Sequence, residues 1–200
     1  RVLFRSTGGN SGQQNRLYFN DGKGGFGLAP AGALPPLLNS TDSLALADFD
    51  GDGDLDLFVG NRGVGTKRNE LYLNQGNGWF VDASANIPAE TAETNALAVG
   101  DVEGDGDLDL ILGQDTTRSG QNRFLLNDGR AGFTYRYPQP MRQDDTFAVA
   151  LGDVDGDGDL DFIAGNSGPN YLYLNDGMGN FADATAGRLP GAAQDTRALA

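Results

Sequence analysis

An all-β fold, a β-propeller of four-stranded antiparallel blades with about four blades present, is what this 200-residue sequence predicts, and three observations predict it. A nine-residue acidic loop recurs three times, opening at residues 48, 101 and 153, at intervals of 53 and 52 residues. The segments around each loop repeat in the same phase and divide into four short runs of period-two alternation, the pattern of half-buried strands. No stretch shows helical periodicity. A self-similar unit of roughly 50 residues with four strands matches a propeller blade better than any other repeat.

Each unit opens on a threonine seven residues before its loop: Thr41, Thr94 or Thr146. Small and aliphatic residues then alternate, as in Ser43-Leu44-Ala45-Leu46-Ala47, which suits a strand packed near a crowded axis. Leu44, Leu97 and Val149 are the equivalent positions of these inner strands. After the loop comes a short apolar run, Leu57 to Val59, Leu110 to Leu112 or Phe162 to Ala164, closed by Gly60, Gly113 or Gly165, which reads as a buried strand. A variable polar stretch leads to the third strand, Asn69 to Asn74, Asn122 to Asn127 or Asn170 to Asn175. The turn that follows is rich in Asn and Gly, which supply positive φ for a hairpin. The fourth strand resumes at an aromatic residue, Phe80, Phe133 or Phe181, and Asn15 to Phe26 is a fourth copy of this hairpin.

The loops carry the chemistry. They read Asp48-Phe-Asp50-Gly-Asp52-Gly53-Asp54-Leu-Asp56, Asp101-Val-Glu103-Gly-Asp105-Gly106-Asp107-Leu-Asp109 and Asp153-Val-Asp155-Gly-Asp157-Gly158-Asp159-Leu-Asp161. Five carboxylates in nine residues repel one another unless a cation sits among them. Calcium takes six to eight oxygens, so side chains at positions 1, 3, 5 and 9 and a backbone carbonyl at 7 nearly complete its shell, with water for the rest. Three Ca²⁺ sites are predicted. Their side-chain ligands are Asp48, Asp50, Asp52 and Asp56, then Asp101, Glu103, Asp105 and Asp109, then Asp153, Asp155, Asp157 and Asp161. Asp54, Asp107 and Asp159 give their main-chain oxygens. Gly53, Gly106 and Gly158 relieve the backbone where it bends around the ion, and Leu55, Leu108 and Leu160 tie each loop to a core. An EF-hand or dockerin loop needs an acid at position 12, where this chain has Val59, Leu112 and Ala164. The alternative, a solvated acidic turn, is disfavoured by three copies in one phase.

With the segments GDVDGDGDLDFIAGN at 152 to 166 and LYLNDGMGNF at 172 to 181, the units resemble the FG-GAP repeats of integrin α-subunits, and most closely their bacterial VCBS-type relatives. The resemblance covers essentially the whole chain, read as one repeat array over residues 1 to 200. It implies a calcium-stabilised propeller, commonly of seven blades and outside the cytoplasm, used for adhesion or for carbohydrate and protein contacts. Repeats are partial at both ends: Val2 aligns with Asp56, and Thr196-Arg-Ala-Leu-Ala200 matches the threonine and first strand of a unit. Two expectations follow, a window of a larger propeller or a four-bladed ring closed by pairing of the two ends.

Of 28 acidic residues, 15 lie in the loops, so filling three sites with Ca²⁺ moves the formal charge from −14 to −8. No basic cluster exists to release counterions, which argues against nucleic acid and anionic membranes as partners. With no cysteine and no histidine, disulfides and the common routes to zinc sites and general bases are closed. No signal peptide or membrane-spanning run is visible. Loops this short often bind calcium at about 10⁻⁴ to 10⁻³ M, as extracellular modules do, and the expectation is a chain outside the cell, on its surface or in a periplasm.

In an antiparallel meander the loops share one rim with the hairpins, and the other connections share the opposite rim. That second rim collects Asn61 to Arg68, Gln114 to Gln121, Asn166 to Pro169 and Pro138 to Asp145. Arg62, Arg68, Arg118 and Arg142 are its candidate contacts for acidic groups or sugar hydroxyls, and Tyr135 and Tyr137 its candidate stacking platforms, against the plainer view of solvated loop residues. The leading expectation is a non-catalytic calcium-dependent interaction module, a blade set of a secreted or surface adhesin that binds a protein or carbohydrate. The alternative is a lectin or the scaffold of an extracellular polysaccharide-active enzyme.

Overall fold

The structure, a computed structural model, describes residues 2–5, 15–36, 40–62, 68–89, 93–115, 121–137, 141–189 and 195–199. The described residues form four antiparallel sheets, each a meander in chain order. The first has three strands, β1 (Val2–Arg5), β2 (Arg16–Asn20) and β3 (Phe26–Leu28). Three four-stranded blades follow: β4 (Ser40–Ala47), β5 (Asp56–Arg62), β6 (Glu70–Asn74) and β7 (Phe80–Asp82); β8 (Thr94–Gly100), β9 (Asp109–Gln114), β10 (Arg123–Asn127) and β11 (Phe133–Arg136); β12 (Thr146–Gly152), β13 (Asp161–Asn166), β14 (Tyr171–Asn175) and β15 (Phe181–Asp183). The helical content among the described residues is one 3₁₀ turn, Ser84–Asn86. No helix there is long and apolar enough to cross a membrane.

The inner strands lie side by side, β8 between β4 and β12, and Leu44, Leu97 and Val149 sit in equivalent register opposite Val59, Leu112 and Ala164. Each inner strand has a register shift just after its threonine, at Thr41/Ser43, Thr94/Ala96 and Thr146/Ala148. The extra residue of such a bulge lets the threonine turn inward while the alternation beyond it still matches the pleat. All three threonines are buried.

The second strands β5 and β9 are covered on both faces, because their alternate side chains fill two different inter-blade cores. From β5, Leu57 and Val59 pack with Leu17, Tyr72 and Phe80, while Phe58 joins Phe49, Leu110, Leu112 and Phe133. The next seam is aromatic: Phe124 meets Phe162 edge-on at 5.7 Å and Phe181 at 4.8 Å. The glycines that end these strands are not merely terminators. A Cβ at Gly60, Gly113 or Gly165 would lie 2.9, 3.0 or 2.7 Å from the methyl of Thr94, Thr146 or Thr196, so the next blade seats its threonine where a side chain would stand.

Val2–Arg5 pairs with β2, and residues 195–199 form no strand; a pairing between these two ends is not among the described ones.

Candidate metal sites and the two rims

The first aspartate of each loop organises the turn. Asp48 accepts from the N–H groups of Gly51 at 2.8 Å, Asp52 at 3.1 Å and Gly53 at 2.9 Å, and Asp101 and Asp153 bind the equivalent glycines. Wrapping N–H groups around one carboxylate forces positive φ twice, at 75°, 73° and 84° for Gly51, Gly104 and Gly156 and at 91°, 94° and 98° for Gly53, Gly106 and Gly158. The glycine at position 6 was expected for this reason. That at position 4 has the same requirement.

The ninth aspartate is buried and holds the loop to its blade. Asp56 accepts from Phe49 N–H at 2.9 Å and from Asn74 N–H at 2.8 Å, one bond to each oxygen. Asp109 does the same with Val102 and Asn127, and Asp161 with Val154 and Asn175. Burial pushes the Asp56 and Asp109 carboxyls up to about 6, against the opposing pull of these backbone bonds. Asp50, Glu103, Asp155 and Asp159 are also raised, first by burial and then by neighbouring carboxylates.

In the first and third loops the carboxylates converge. Oxygens of Asp48, Asp50 and Asp56 lie within 4.8 Å of one another, as do those of Asp153, Asp155 and Asp161. The fifth-position residues stand outside these groups, and each of Asp52, Asp105 and Asp157 accepts an N–H bond from the seventh residue of its loop. Asp54, Asp107 and Asp159 turn their carboxylates toward Gly76, Gly129 and Gly177 of the neighbouring hairpin. The second loop forms no such group among the described residues. No basic side chain among the described residues pairs with the first loop. Its donor set of hard oxygens and uncompensated charge fits a calcium ion.

Loops and hairpins share a rim and bond across blades there. The Asn127 side-chain amide donates to the Phe49 carbonyl of the preceding blade at 2.8 Å and to Leu108 of its own loop at 3.2 Å, and Asn175 repeats this with Val102 and Leu160. On the opposite rim Asn15, Asn69 and Asn170 donate to the hydroxyls of Thr41, Thr94 and Thr196 at 2.8, 3.0 and 2.8 Å. Sequence reasoning registered these residues as a repeat without assigning them a role. Their recurrence one blade apart was the available signal.

Three of the four arginines singled out on the second rim are engaged within the protein. Arg62 lies between Asp42 and Glu93 at 3.3 and 3.5 Å. Arg68 donates to the Ser84 carbonyl at 2.5 Å. Arg142 stacks over Tyr171 and reaches Asp183 at 3.4 Å. Arg118 lies outside the described residues. Tyr135 and Tyr137 stand 5.9 Å apart with Arg123 over both rings; Tyr135 donates to the Pro88 carbonyl, and Tyr137 is about half exposed.

A meander of repeated blades with an acidic loop on one rim defines a repeat-built β-propeller. FG-GAP-like repeat models match residues 2–59, 60–112, 104–164 and 153–200, and an FG-GAP repeat model matches 40–79, so the chain belongs to the FG-GAP repeat family. Among curated proteins none matches it. Among solved structures it is similar to a lectin from Agrocybe aegerita, described for specific recognition of non-reducing terminal N-acetylglucosamine, at 19% identity and a TM-score of 0.51. The match covers 94% of this chain and 48% of the lectin, so the chain spans about half that length. At this identity the likeness is one of fold.

Proposed function

We propose that this chain is a calcium-stabilised, non-catalytic interaction module of a secreted or surface protein, binding a protein or carbohydrate partner. The observation that carries the calcium assignment is the convergence of three carboxylates within 4.8 Å in each of two loops. Asp48, Asp50, Asp52 and Asp56, with the carbonyl of Asp54, would hold one ion; Asp153, Asp155, Asp157 and Asp161, with that of Asp159, would hold another; Asp101, Glu103, Asp105 and Asp109, with that of Asp107, would hold the third. A bound calcium supplies positive charge that offsets their mutual repulsion. The ninth aspartate already anchors each loop to its blade, so a filled site ties the loop rim to the cores beneath.

Glycan recognition is the reading favoured among partners by the fold shared with the lectin and by the half-exposed Tyr137 beside Tyr135, an aromatic face to which a sugar ring can stack. A scaffold for a polysaccharide-active enzyme is the alternative.

Thermal melting in calcium and in chelator tests the metal. Binding to the folded form alone stabilises by RT ln(1 + [Ca²⁺]/Kd), about 2.7 kcal/mol per site at a hundredfold excess over Kd. Equal melting temperatures in the two conditions would make the loops plain acidic turns. Glycan-array binding with and without calcium separates a lectin from a protein-binding module.

A further inference from the structure

We propose that the second loop is a weaker, conditional calcium site, because its position-3 ligand is also held by an arginine that bridges to the next blade; this inference rests on the calcium assignment above. Glu103 stands where the other loops carry Asp50 and Asp155. Its extra methylene carries the carboxylate to Arg136, whose Nη1 lies 3.5 Å from Glu103 Oε2. Arg136 is peculiar to this blade: its counterparts, three residues after Phe80 and Phe181, are Ala83 and Ala184. The same guanidinium donates to the Met178 carbonyl at 2.8 Å and to Asn180 Oδ1 at 2.7 Å, both in the hairpin of the following blade. Glu103 is therefore tied, through Arg136, to the seam as well as to its loop.

The geometry of the loops follows this difference. Carboxylates of positions 1, 3 and 9 gather within 4.8 Å in the first and third loops, while Asp101, Glu103 and Asp109 form no such group among the described residues. A basic neighbour alone does not account for it. Arg188 lies 3.7 Å from Asp155, and that shorter carboxylate stays in its group. The longer arm and the arginine together draw the ligand away. An ion that recruits Glu103 breaks the Glu103–Arg136 pair inside its own blade, and so releases the near-side anchor of the guanidinium whose other two bonds cross the seam. Such half-exposed pairs are worth up to about 1 kcal/mol, so the competition is worth about fivefold in affinity or less.

Calorimetric titration of the whole chain with calcium chloride tests this. The wild type is expected to show two tighter sites and one weaker, and Asp105→Ala to remove the weaker one alone. Glu103→Asp is expected to bring the weak site toward the tight class. Arg136→Ala is expected to tighten it by up to about fivefold, with little further effect when added to Glu103→Asp, whose shorter carboxylate no longer reaches the guanidinium. Three equal sites in the wild type, loss of a tight site in Asp105→Ala, or a weak site unmoved by Glu103→Asp would overturn the proposal and leave the calcium assignment standing. No calcium heat in any loop would overturn the assignment itself, and this inference with it.

Discussion

Two aspartates of the same loop, four residues apart, do different work, and a pair of substitutions separates them. Asp109 is buried and spends both oxygens on the N–H groups of Val102 and Asn127. Asp109→Asn replaces one acceptor by an NH₂ that faces a donor, and an unmet buried bond costs about 1–3 kcal/mol. This loss is expected in chelator as well as in calcium. Asp105 is exposed and accepts one bond within its own loop. Asp105→Ala is expected to lower the melting temperature in calcium and hardly at all in chelator. Denaturant titration of both variants, with and without chelator, checks the split; equal behaviour would show that the ninth position has no anchoring role of its own.

At the scale of the element, the join between blades is a small set of polar and steric fits repeated from blade to blade. Thr94 is buried, takes the side-chain amide of Asn69 at 3.0 Å, and sets its methyl over Gly60. Thr94→Val keeps the shape and deletes the hydroxyl, leaving a buried amide without that acceptor, and is expected to destabilise by about 1–3 kcal/mol. Gly113→Ala keeps the polar fit and intrudes on Thr146 and Val149, each 3.0 Å from the new Cβ, at about the same cost. Denaturation midpoints that move with an unchanged slope would confirm both as losses of native stability.

These joins show where sequence was informative and where it was not. Strand order, the inner positions Leu44, Leu97 and Val149, the two-faced burial of β5 and β9, and the loops were legible because each is a local pattern written three times. The bulge after each threonine left no local trace, since one extra residue changes no residue type. Gly60, Gly113 and Gly165 were legible as strand ends, but their reason lies in the next blade, about 30 residues on, where a threonine methyl needs the space. The arginines misled for a related cause. A loop arginine looks available in one dimension, whereas Arg62 and Arg142 find acidic partners that only the folded rim brings near. Glu103 was visible as a lone departure from aspartate, and Arg136 gave it meaning only through contact.

Across the whole molecule each blade touches the next, as in other repeat proteins whose stability is a sum of units and of the interfaces between them. The amide of Asn127 hangs from the Phe49 carbonyl, the second residue of the previous acidic turn, and Asn175 hangs likewise from Val102. A turn that an ion would stiffen is therefore also the peg that holds its successor, and the property expected from this is resistance to tension. Drawn out by its two ends in a force spectrometer, the chain is expected to yield one blade at a time. A repeat of 52 or 53 residues lengthens the tether by roughly 170–190 Å at full extension. The rupture force of each step is expected to be higher in calcium than in chelator. A single all-or-none rupture, or a force indifferent to calcium, would mean that the pegs carry no load.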